Sequence, residues 1–297
     1  MLKFKKLSII FIILILASSI FSFSSTLPIS IKDDLGREIT IKEYPKRIIS
    51  LAPSSTEILF EIGAGDRLIG VTDYCNYPKE ALTKEKVGGF SNPNIEKIIS
   101  LKPDLIVLYK SFPKEVFNQL EKSLPNTSFI VLDPKTYEDV MKNIILLGKA
   151  VGKENEARKV YNNMLNGWLE IQKKVTSIKK SPKVLFLIWN DPFISVSPST
   201  FLGDLLKKLK AKNIVENNEP EYPVLSLEYI ISKNPDIIII GEMSGISKDF
   251  IINHPILKNT NAVKNNKVFT VNDDLVFRPG PRLVEGFKAL YKILYEN

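Results

Sequence analysis

The chain has 297 residues, 44% of them hydrophobic, so it is long enough for substantial cores and is expected to form two domains. Its 41 basic and 33 acidic residues give a net charge of +8, but the basic residues are spread along the chain. No clustered basic face and no nucleic-acid-binding motif is found, which argues against a nucleic-acid partner. Cys75 is the only cysteine, so an internal disulfide is excluded.

Residues 1–24 are predicted to be an export signal. Three lysines among the first six residues precede an apolar run over 7–16, and small residues around position 24 suit a signal peptidase. The apolar run extends to Phe23 and approaches the ~18 residues that span a bilayer, so an uncleaved membrane anchor is the alternative. No cysteine near this region could carry a lipid. Without the three lysines of the predicted leader, the chain has 38 basic and 33 acidic residues, and its net charge is +5.

The next residues predict a first α/β lobe over 25–136. An exposed hairpin around Gly36 is followed by a buried strand over 47–51. Ser54 and Glu57 have the spacing of a capping box, which predicts a helix over 55–62. The turn before this helix has neither a Walker A nor a Rossmann glycine pattern, so no nucleotide site is predicted.

Aromatic side chains follow three predicted strands of this lobe. Tyr74 and Phe90 lie in loops, and Tyr109 ends a strand. Because ligands of open α/β sheets bind beyond the carboxyl ends of the strands, these rings are candidates for a ligand cleft. The alternative is that they only plug loops.

A repeat organises the chain. Residues 95–108, IEKIISLKPDLIVL, return as residues 227–240, LEYIISKNPDIIII, at an offset of 132 without a gap. Each copy predicts a short helix, a Pro-Asp turn and a buried strand, so two lobes of similar design are expected. Glu96 matches Glu228 in the first helical turn, where the helix dipole favours a carboxylate. The two glutamates could instead form matched charges for a two-fold symmetric partner.

Between the lobes, residues 137–178 contain no proline and have apolar residues at helical spacing. They predict a long interdomain helix that acts as a strut, with a break or bend near Gly148 and Gly152. A second α/β lobe is predicted over 179–297. Its strand-end loops carry Phe193, Tyr222, Asp274 and Arg278.

The sequence contains few residues that could form a catalytic site. His254 is the only histidine, which excludes a multi-histidine zinc site and leaves one residue for any histidine-dependent catalytic pair. Adjacent carboxylates such as Asp273 and Asp274 are more typical of solvated turns than of a catalytic or metal site. Aromatic loops with few ionisable groups favour a bulky, flat and partly apolar ligand. We expect no catalytic residue, no metal site and no bound cofactor.

Several segments carry a family resemblance: RIISLAPSSTE from Arg47, GVTDYCNYP from Gly70, NIEKIISLKPDLIVLY from Asn94 and YPVLSLEYIISKNPDIIII from Tyr222. With the long helix between them, they resemble the substrate-binding proteins of ABC importers for cobalamin, ferric siderophores and haem. The resemblance covers essentially the whole mature chain, and it is nearest to the cobalamin binders. It implies a class III periplasmic binding protein with two Rossmann-like lobes on a rigid helical backbone.

The resemblance also implies roles for individual residues. One glutamate of each lobe, Glu96 and Glu228, docks onto arginines of the dimeric permease in this family. An Asp-x-x-x-Arg pair falls on Asp274 and Arg278. Trp189 is a second-rank ligand candidate that could equally be core, as is Tyr77. The family's ring-stacking positions fall on Tyr74, Phe90, Tyr109, Phe193 and Tyr222.

The function that the resemblance implies is capture of a corrinoid outside the inner membrane by a monomeric, non-catalytic protein, which then delivers it to the permease. Several tryptophans of the best-known cobalamin binders are Tyr or Phe here, which leaves haem or a ferric siderophore as the alternative ligand. An enzyme built on the same lobes is a more distant alternative.

Overall fold

The computed structural model describes residues 27–217 and 219–296. The export signal predicted at residues 1–24 lies outside these ranges. Among the described helices, none combines the length and the apolar character needed to cross a bilayer.

The first lobe is built on a parallel sheet of four strands. A hairpin of β1 and β2 precedes it, with Gly36 at φ +78° in the turn. The sheet order is β4-β3-β5-β6, and all neighbours are parallel, so the carboxyl ends of the strands lie at one edge. The strands are β1 Ile29–Lys32, β2 Glu38–Ile41, β3 Ile48–Ser50, β4 Leu68–Val71, β5 Leu105–Tyr109 and β6 Ser128–Leu132.

In the described part of the first lobe, three α-helices accompany these strands: α1 Pro53–Glu61, α2 Ile95–Ser100 and α3 Lys114–Ser123. The amphipathic α3 buries Leu120 and places Phe117 against Phe129 of β6, with ring centroids 5.6 Å apart. Apolar side chains on both faces of the sheet are buried, as the continuous apolar strands predicted.

The described residues of the second lobe form a sheet of five strands in the order β11-β10-β7-β8, with β9 also pairing with β7. All pairs are parallel except β7 with β8. The strands are β7 Lys183–Asn190, β8 Phe193–Ser195, β9 Lys212–Asn213, β10 Ile237–Gly241 and β11 Val268–Val271. The later helices of the chain are α6 Phe201–Lys208, α7 Leu227–Lys233, α8 Lys248–Asn253, α9 Asn261–Lys264, α10 Asp273–Val276 and α11 Leu283–Tyr295.

The sequence repeat is a structural repeat. Helix α7 begins 132 residues after α2, and β10 has the bounds of β5 shifted by the same 132 residues. Lys102 and Asn234 occupy equivalent positions after these helices, and both have φ +47°. Asp104 and Asp236 then accept backbone hydrogen bonds from Lys46 and Lys183 at 2.8 and 2.9 Å. The prediction of two lobes of similar design is confirmed.

Residues 137–178 do not form one continuous helix, and the interruption lies at Gly152, within the region where a break or bend was predicted. Two helices, α4 Tyr137–Ala150 and α5 Glu154–Thr176, are separated by a turn in which Gly152 has φ +70°. They pack antiparallel, because the hydroxyl of Tyr137 donates to the backbone oxygen of Met164 at 2.9 Å while Gly148 lies against Ala157.

Only α5 remains as a strut between the lobes, and its 23 residues span about 34 Å. Near its start, Ala157 is buried beside α4. Further along, Trp168 packs against Phe287 of α11 with ring centroids 4.8 Å apart and the rings tilted by 43°. The strut is therefore held by side chains from both sides.

Gly148 is expected to be essential for the packing of α4 on α5. A Cβ atom at this position would lie 2.3 Å from the Cβ of Ala157. We expect Gly148→Ala to lower the free energy of unfolding by about 1–3 kcal/mol through overpacking, although alanine is the better helix former. Chemical denaturation measures this change. Adding Ala157→Gly should recover part of the loss, and a Gly148→Ala protein as stable as the wild type would contradict the prediction.

Candidate functional site

The strand-end loops of the two lobes meet around a cavity of about 270 Å³. The first lobe contributes the loop after β4, and the second contributes the loops after β10 and β11. Four carboxylates and one guanidinium line the cavity. Its lining residues are Asp73, Tyr74, Asn76, Glu242, Met243, Asn272, Asp273, Asp274 and Arg278. The cavity thus lies at the carboxyl ends of the strands, where ligands of open α/β sheets bind.

An ion cluster joins the lobes beside this cavity. Glu57 of α1 is buried, and its carboxylate accepts hydrogen bonds from Arg282 at 2.6 and 2.9 Å and from Arg278 at 3.1 Å. The hydrogen bonds to Glu57 raise the pKa of Arg282. The guanidinium of Arg282 also lies 3.9 Å from the ring centre of Tyr77. We call Glu57, Arg278 and Arg282 the inter-lobe latch.

The latch corrects the prediction of a capping box at Ser54 and Glu57. Helix α1 begins at Pro53 after Ala52, without a side-chain cap. The hydroxyl of Ser54 instead donates to the phenol oxygen of Tyr109 at 2.8 Å. Ser54 and Glu57, the two residues of the predicted capping box, therefore both make tertiary contacts instead of capping α1.

The Asp-x-x-x-Arg pair predicted at Asp274 and Arg278 lies at the cavity. The two side chains form an ion pair at 2.7 Å, and Asp274 belongs to the short helix α10 instead of a loop. Arg278 also donates to the amide oxygen of Asn76 at 2.7 Å and to the backbone oxygen of Tyr74 at 3.4 Å. Its positive charge is therefore already shared by two carboxylates, those of Asp274 and Glu57.

Rings of the first lobe gather near the same edge. The side chain of Tyr74 is 61% exposed, and the loops that carry Tyr74 and Phe90 are joined by a backbone hydrogen bond from Asp73 to Gly88 at 3.1 Å. Phe90 is half-buried with its edge against Phe112. Burial of the phenol raises the pKa of Tyr109.

Rings of the second lobe divide into two groups. Phe193 is 9% exposed and packs in the core of that lobe beside Phe250 and His254, with ring centroids 6.3 Å away in each case. Tyr222 and Trp189 are 54% and 50% exposed. The structure thus brings Tyr222 and Trp189 to the surface, but it does not bring Phe193 there.

Glu96 and Glu228 are exposed in the first turns of α2 and α7. Each helix precedes a strand of its sheet and runs back along it, so each helix begins at the edge that carries the cleft loops. Hydrogen bonds from its own backbone N–H and from Ser226 lower the pKa of Glu228. Both carboxylates therefore lie on the cleft side of their lobes.

Sequence reasoning missed part of the site. The capping-box spacing predicts only a local role for Glu57, but its partners are 221 and 225 residues away. The sequence predicts a solvated charge at Asp273. Its carboxylate accepts a backbone hydrogen bond from Met243 at 2.6 Å, and burial raises its pKa. Among the described residues, no group of His, Cys, Asp and Glu side chains is arranged to hold a metal ion.

Comparisons with known proteins agree with this architecture. A family model described as periplasmic binding protein matches residues 48–275. An uncharacterised ABC transporter substrate-binding lipoprotein of Bacillus subtilis, YvrC, is 35% identical over 91% of this chain and 86% of its own. The vitamin B12-binding protein of Photorhabdus laumondii is 29% identical over 85% of this chain and 89% of its own.

The crystal structure of the periplasmic vitamin B12-binding protein BtuF of Vibrio cholerae has the same fold, with a TM-score of 0.75. It is 27% identical, and the match covers 84% of this chain and 96% of that chain. The class III fold expected from the sequence is thereby confirmed. The chain belongs to the periplasmic binding protein family, as an ABC importer substrate-binding protein of the class that includes binders of vitamin B12, haem and siderophores.

Proposed function

We propose that this protein binds a corrinoid such as cobalamin between its lobes and delivers it, unchanged, to a dimeric ABC permease. The charge of the cavity is the observation that carries the choice of ligand. Among the described residues that line it, Asp73, Glu242, Asp273 and Asp274 are acidic and Arg278 is the only cationic one, and Arg278 is already engaged by Glu57 and Asp274.

A negative cavity discriminates between the candidate ligands. Haem carries two carboxylates, and many ferric siderophores are anionic, so these ligands would bring like charges together without a free cation to balance them. A corrin carries several amide side chains whose N–H groups donate to carboxylates, and its ring system carries no net negative charge. Carboxylate acceptors therefore favour a corrinoid.

Exposed rings supply the apolar part of the site. Tyr74 from the first lobe and Tyr222 from the second are both more than half exposed, and a conjugated ring can stack on such side chains. A corrinoid is too large to fit entirely in the cavity of about 270 Å³, so the rest of it would extend over the rings of Tyr74 and Tyr222. The similarity to vitamin B12-binding proteins supports the same choice.

The proposal places the mature protein outside the inner membrane as a monomer, after export by residues 1–24. Cys75 is the only cysteine of the sequence. Among the described residues, Cys75 is buried.

Calorimetric titration with cyanocobalamin tests the ligand. We expect binding at micromolar concentration or tighter, and a much weaker response to haemin under the same conditions. The absorbance spectrum of protein purified from its own host gives an independent answer, because corrinoid, haem and siderophore chromophores differ.

A Soret band, or heat released with haemin and none with cyanocobalamin, would replace the corrinoid with haem. Mass spectrometry of the ligand recovered after saturation addresses the enzyme alternative. Release of an altered ligand would contradict a purely binding role.

A further inference from the structure

Each lobe has a cavity at the edge of its sheet that lies opposite the cleft loops. The cavity of the first lobe, of about 520 Å³, is lined by Asp104 and Leu105 at the start of β5. The cavity of the second lobe, of about 600 Å³, is lined by Asp236 and Ile237 at the start of β10. These two pairs of residues are 132 positions apart, so the cavities are equivalent in the repeat. We call them the first and second distal cavities.

The two distal cavities differ in charge. Besides Asp104, the first is lined by Lys42 and Lys46 together with Glu43. Among the described residues that line the second, Asp236 is the only acid, and it lies beside four lysines. These lysines, which we call the basic pole, are Lys179, Lys180, Lys212 and Lys267. They come from separate parts of the chain, and the repeated fold alone does not explain their excess over acids.

The acids around the basic pole are engaged elsewhere. Asp236 accepts hydrogen bonds from the backbone N–H of Lys183 at 2.9 Å and from the side-chain amide of Asn261 at 3.2 Å. Glu216, which follows β9, forms its ion pair with Lys233. Within the part of the chain that the structure describes, none of the four ammonium groups of the basic pole forms an ion pair. Their positive charge is therefore not neutralised inside the lobe.

Helix ends do not account for the basic pole. Lysines in the last turn of a helix are favoured by the helix dipole, and Lys207 and Lys208 of α6 are of this kind. The members of the basic pole lie outside such turns. Two of them follow the end of α5 at Thr176, one begins β9 and one directly precedes β11. The dipole therefore leaves the position of these four charges unexplained.

The shape of this edge suits an extended anion. Lys212 also lines an adjoining cavity of about 850 Å³ together with Lys207, so positive charge continues from one hollow to the next. The second distal cavity is bordered by Leu294 and Tyr295 at the end of α11, and none of its described lining residues begins a helix. It thus offers no helix N-terminus to hold a compact anion. A flexible chain of charges can contact lysines in both hollows at once.

A lipid bilayer fits this edge less well. Segments that bind at a membrane surface combine basic side chains with apolar side chains that enter the headgroup region. Among the described residues, none of the large apolar side chains that are exposed lines the second distal cavity or the adjoining one. The lysines moreover line hollows, which the flat surface of a bilayer does not enter.

We propose that the basic pole docks this protein to a flexible, phosphate-bearing polymer of the cell envelope. Lysine binds phosphate oxygens as a point charge, whereas paired recognition of planar carboxylates is the usual role of arginine. No arginine is present among the described residues that line the two cavities. A polymer held at this edge leaves the cleft open. The inference goes beyond the proposed function and takes from it only the location outside the inner membrane.

Titration of the purified protein with long-chain inorganic polyphosphate tests the basic pole. We expect binding whose logarithm falls with the logarithm of the salt concentration, with a slope of about −3 for four lysine contacts. A variant that combines Lys179→Gln, Lys180→Gln, Lys212→Gln and Lys267→Gln should bind about tenfold more weakly or worse, and its slope should be smaller. Replacing the same four lysines by arginine should retain binding, because the charge is kept.

The first distal cavity supplies the matched control. Lys42→Gln combined with Lys46→Gln removes two lysines from the equivalent edge of the first lobe and should leave polyphosphate binding within about twofold. The pair Lys179→Gln and Lys180→Gln, which changes only the loop after α5, should give an intermediate loss. Thermal unfolding shows that each variant is folded, and this pair carries the test if the fourfold variant is not.

The outcomes separate this inference from the choice of ligand. Equal binding of polyphosphate by the wild type and the glutamine variants would overturn the role of the basic pole. So would equal binding of orthophosphate at the same phosphate concentration, which would show a compact anion site. Tighter binding of phosphatidylglycerol vesicles or of single-stranded DNA than of polyphosphate would assign the pole to another partner. The glutamine variants should bind cyanocobalamin as the wild type does, so a failure of the corrinoid function is seen independently.

Discussion

Glu57→Ala is expected to lower the free energy of unfolding by about 3–5 kcal/mol, because it leaves two partly buried guanidinium groups without their shared carboxylate. The side chains of Glu57, Arg278 and Arg282 are 2%, 14% and 17% exposed, so solvent screens this cluster weakly. Urea denaturation of the wild type and the variant measures the difference. Since the latch joins α1 to the region before α11, small-angle scattering should also show a change in the arrangement of the lobes.

Two variants of α1 control this experiment. Glu57→Gln keeps an oxygen that accepts a hydrogen bond from one arginine and should lose less stability than Glu57→Ala. Glu61→Ala changes an exposed glutamate of the same helix and should have little effect. A Glu57→Ala protein within about 1 kcal/mol of the wild type would show that the latch contributes little to stability.

The repeat was predictable because its signals are local. Apolar residues are at helical spacing in each copy, Ile95, Ile98 and Ile99 in the first and Leu227, Ile230 and Ile231 in the second. In both copies a Pro-Asp turn then precedes a continuous apolar strand. The lobes, their main parallel strands and the cleft edge follow from these patterns. These helices, turns and strands can be predicted because the residues that determine each of them are close together in the sequence.

Longer-range features were not predictable in this way. Apolar spacing continues across the turn at Gly152, since α4 and α5 each bury one face, and a pattern of spacing does not record a reversal of direction. The partners of Glu57 come from the other end of the chain. The face occupied by Phe193 depends on the register of the short strand β8, which the sequence did not reveal.

Glu96→Arg combined with Glu228→Arg is expected to abolish ligand uptake while leaving ligand affinity nearly unchanged. The proposed partner is a dimeric permease, and a two-fold symmetric receptor presents two equivalent surfaces to two lobes of similar design. Both carboxylates are exposed at the cleft side of their lobes, and hydrogen bonds at the start of α7 lower the pKa of Glu228 from its ordinary acidic value. Arginines at both positions would replace attraction by repulsion. Uptake of radiolabelled cyanocobalamin by cells, together with calorimetry of the purified variant, measures the two effects separately.

Glu115→Arg is the matched control for this experiment. Glu115 is an exposed glutamate in the first turn of α3, but it has no counterpart in the repeat. Its reversal has the same unfavourable interaction with a helix dipole, without removing a member of the repeated pair. We expect normal uptake from Glu115→Arg and partial loss from either single variant of the pair. Normal uptake by the double variant would leave Glu96 and Glu228 with only their role at the start of a helix, and loss of uptake in all four variants would attribute the defect to helix electrostatics instead of docking.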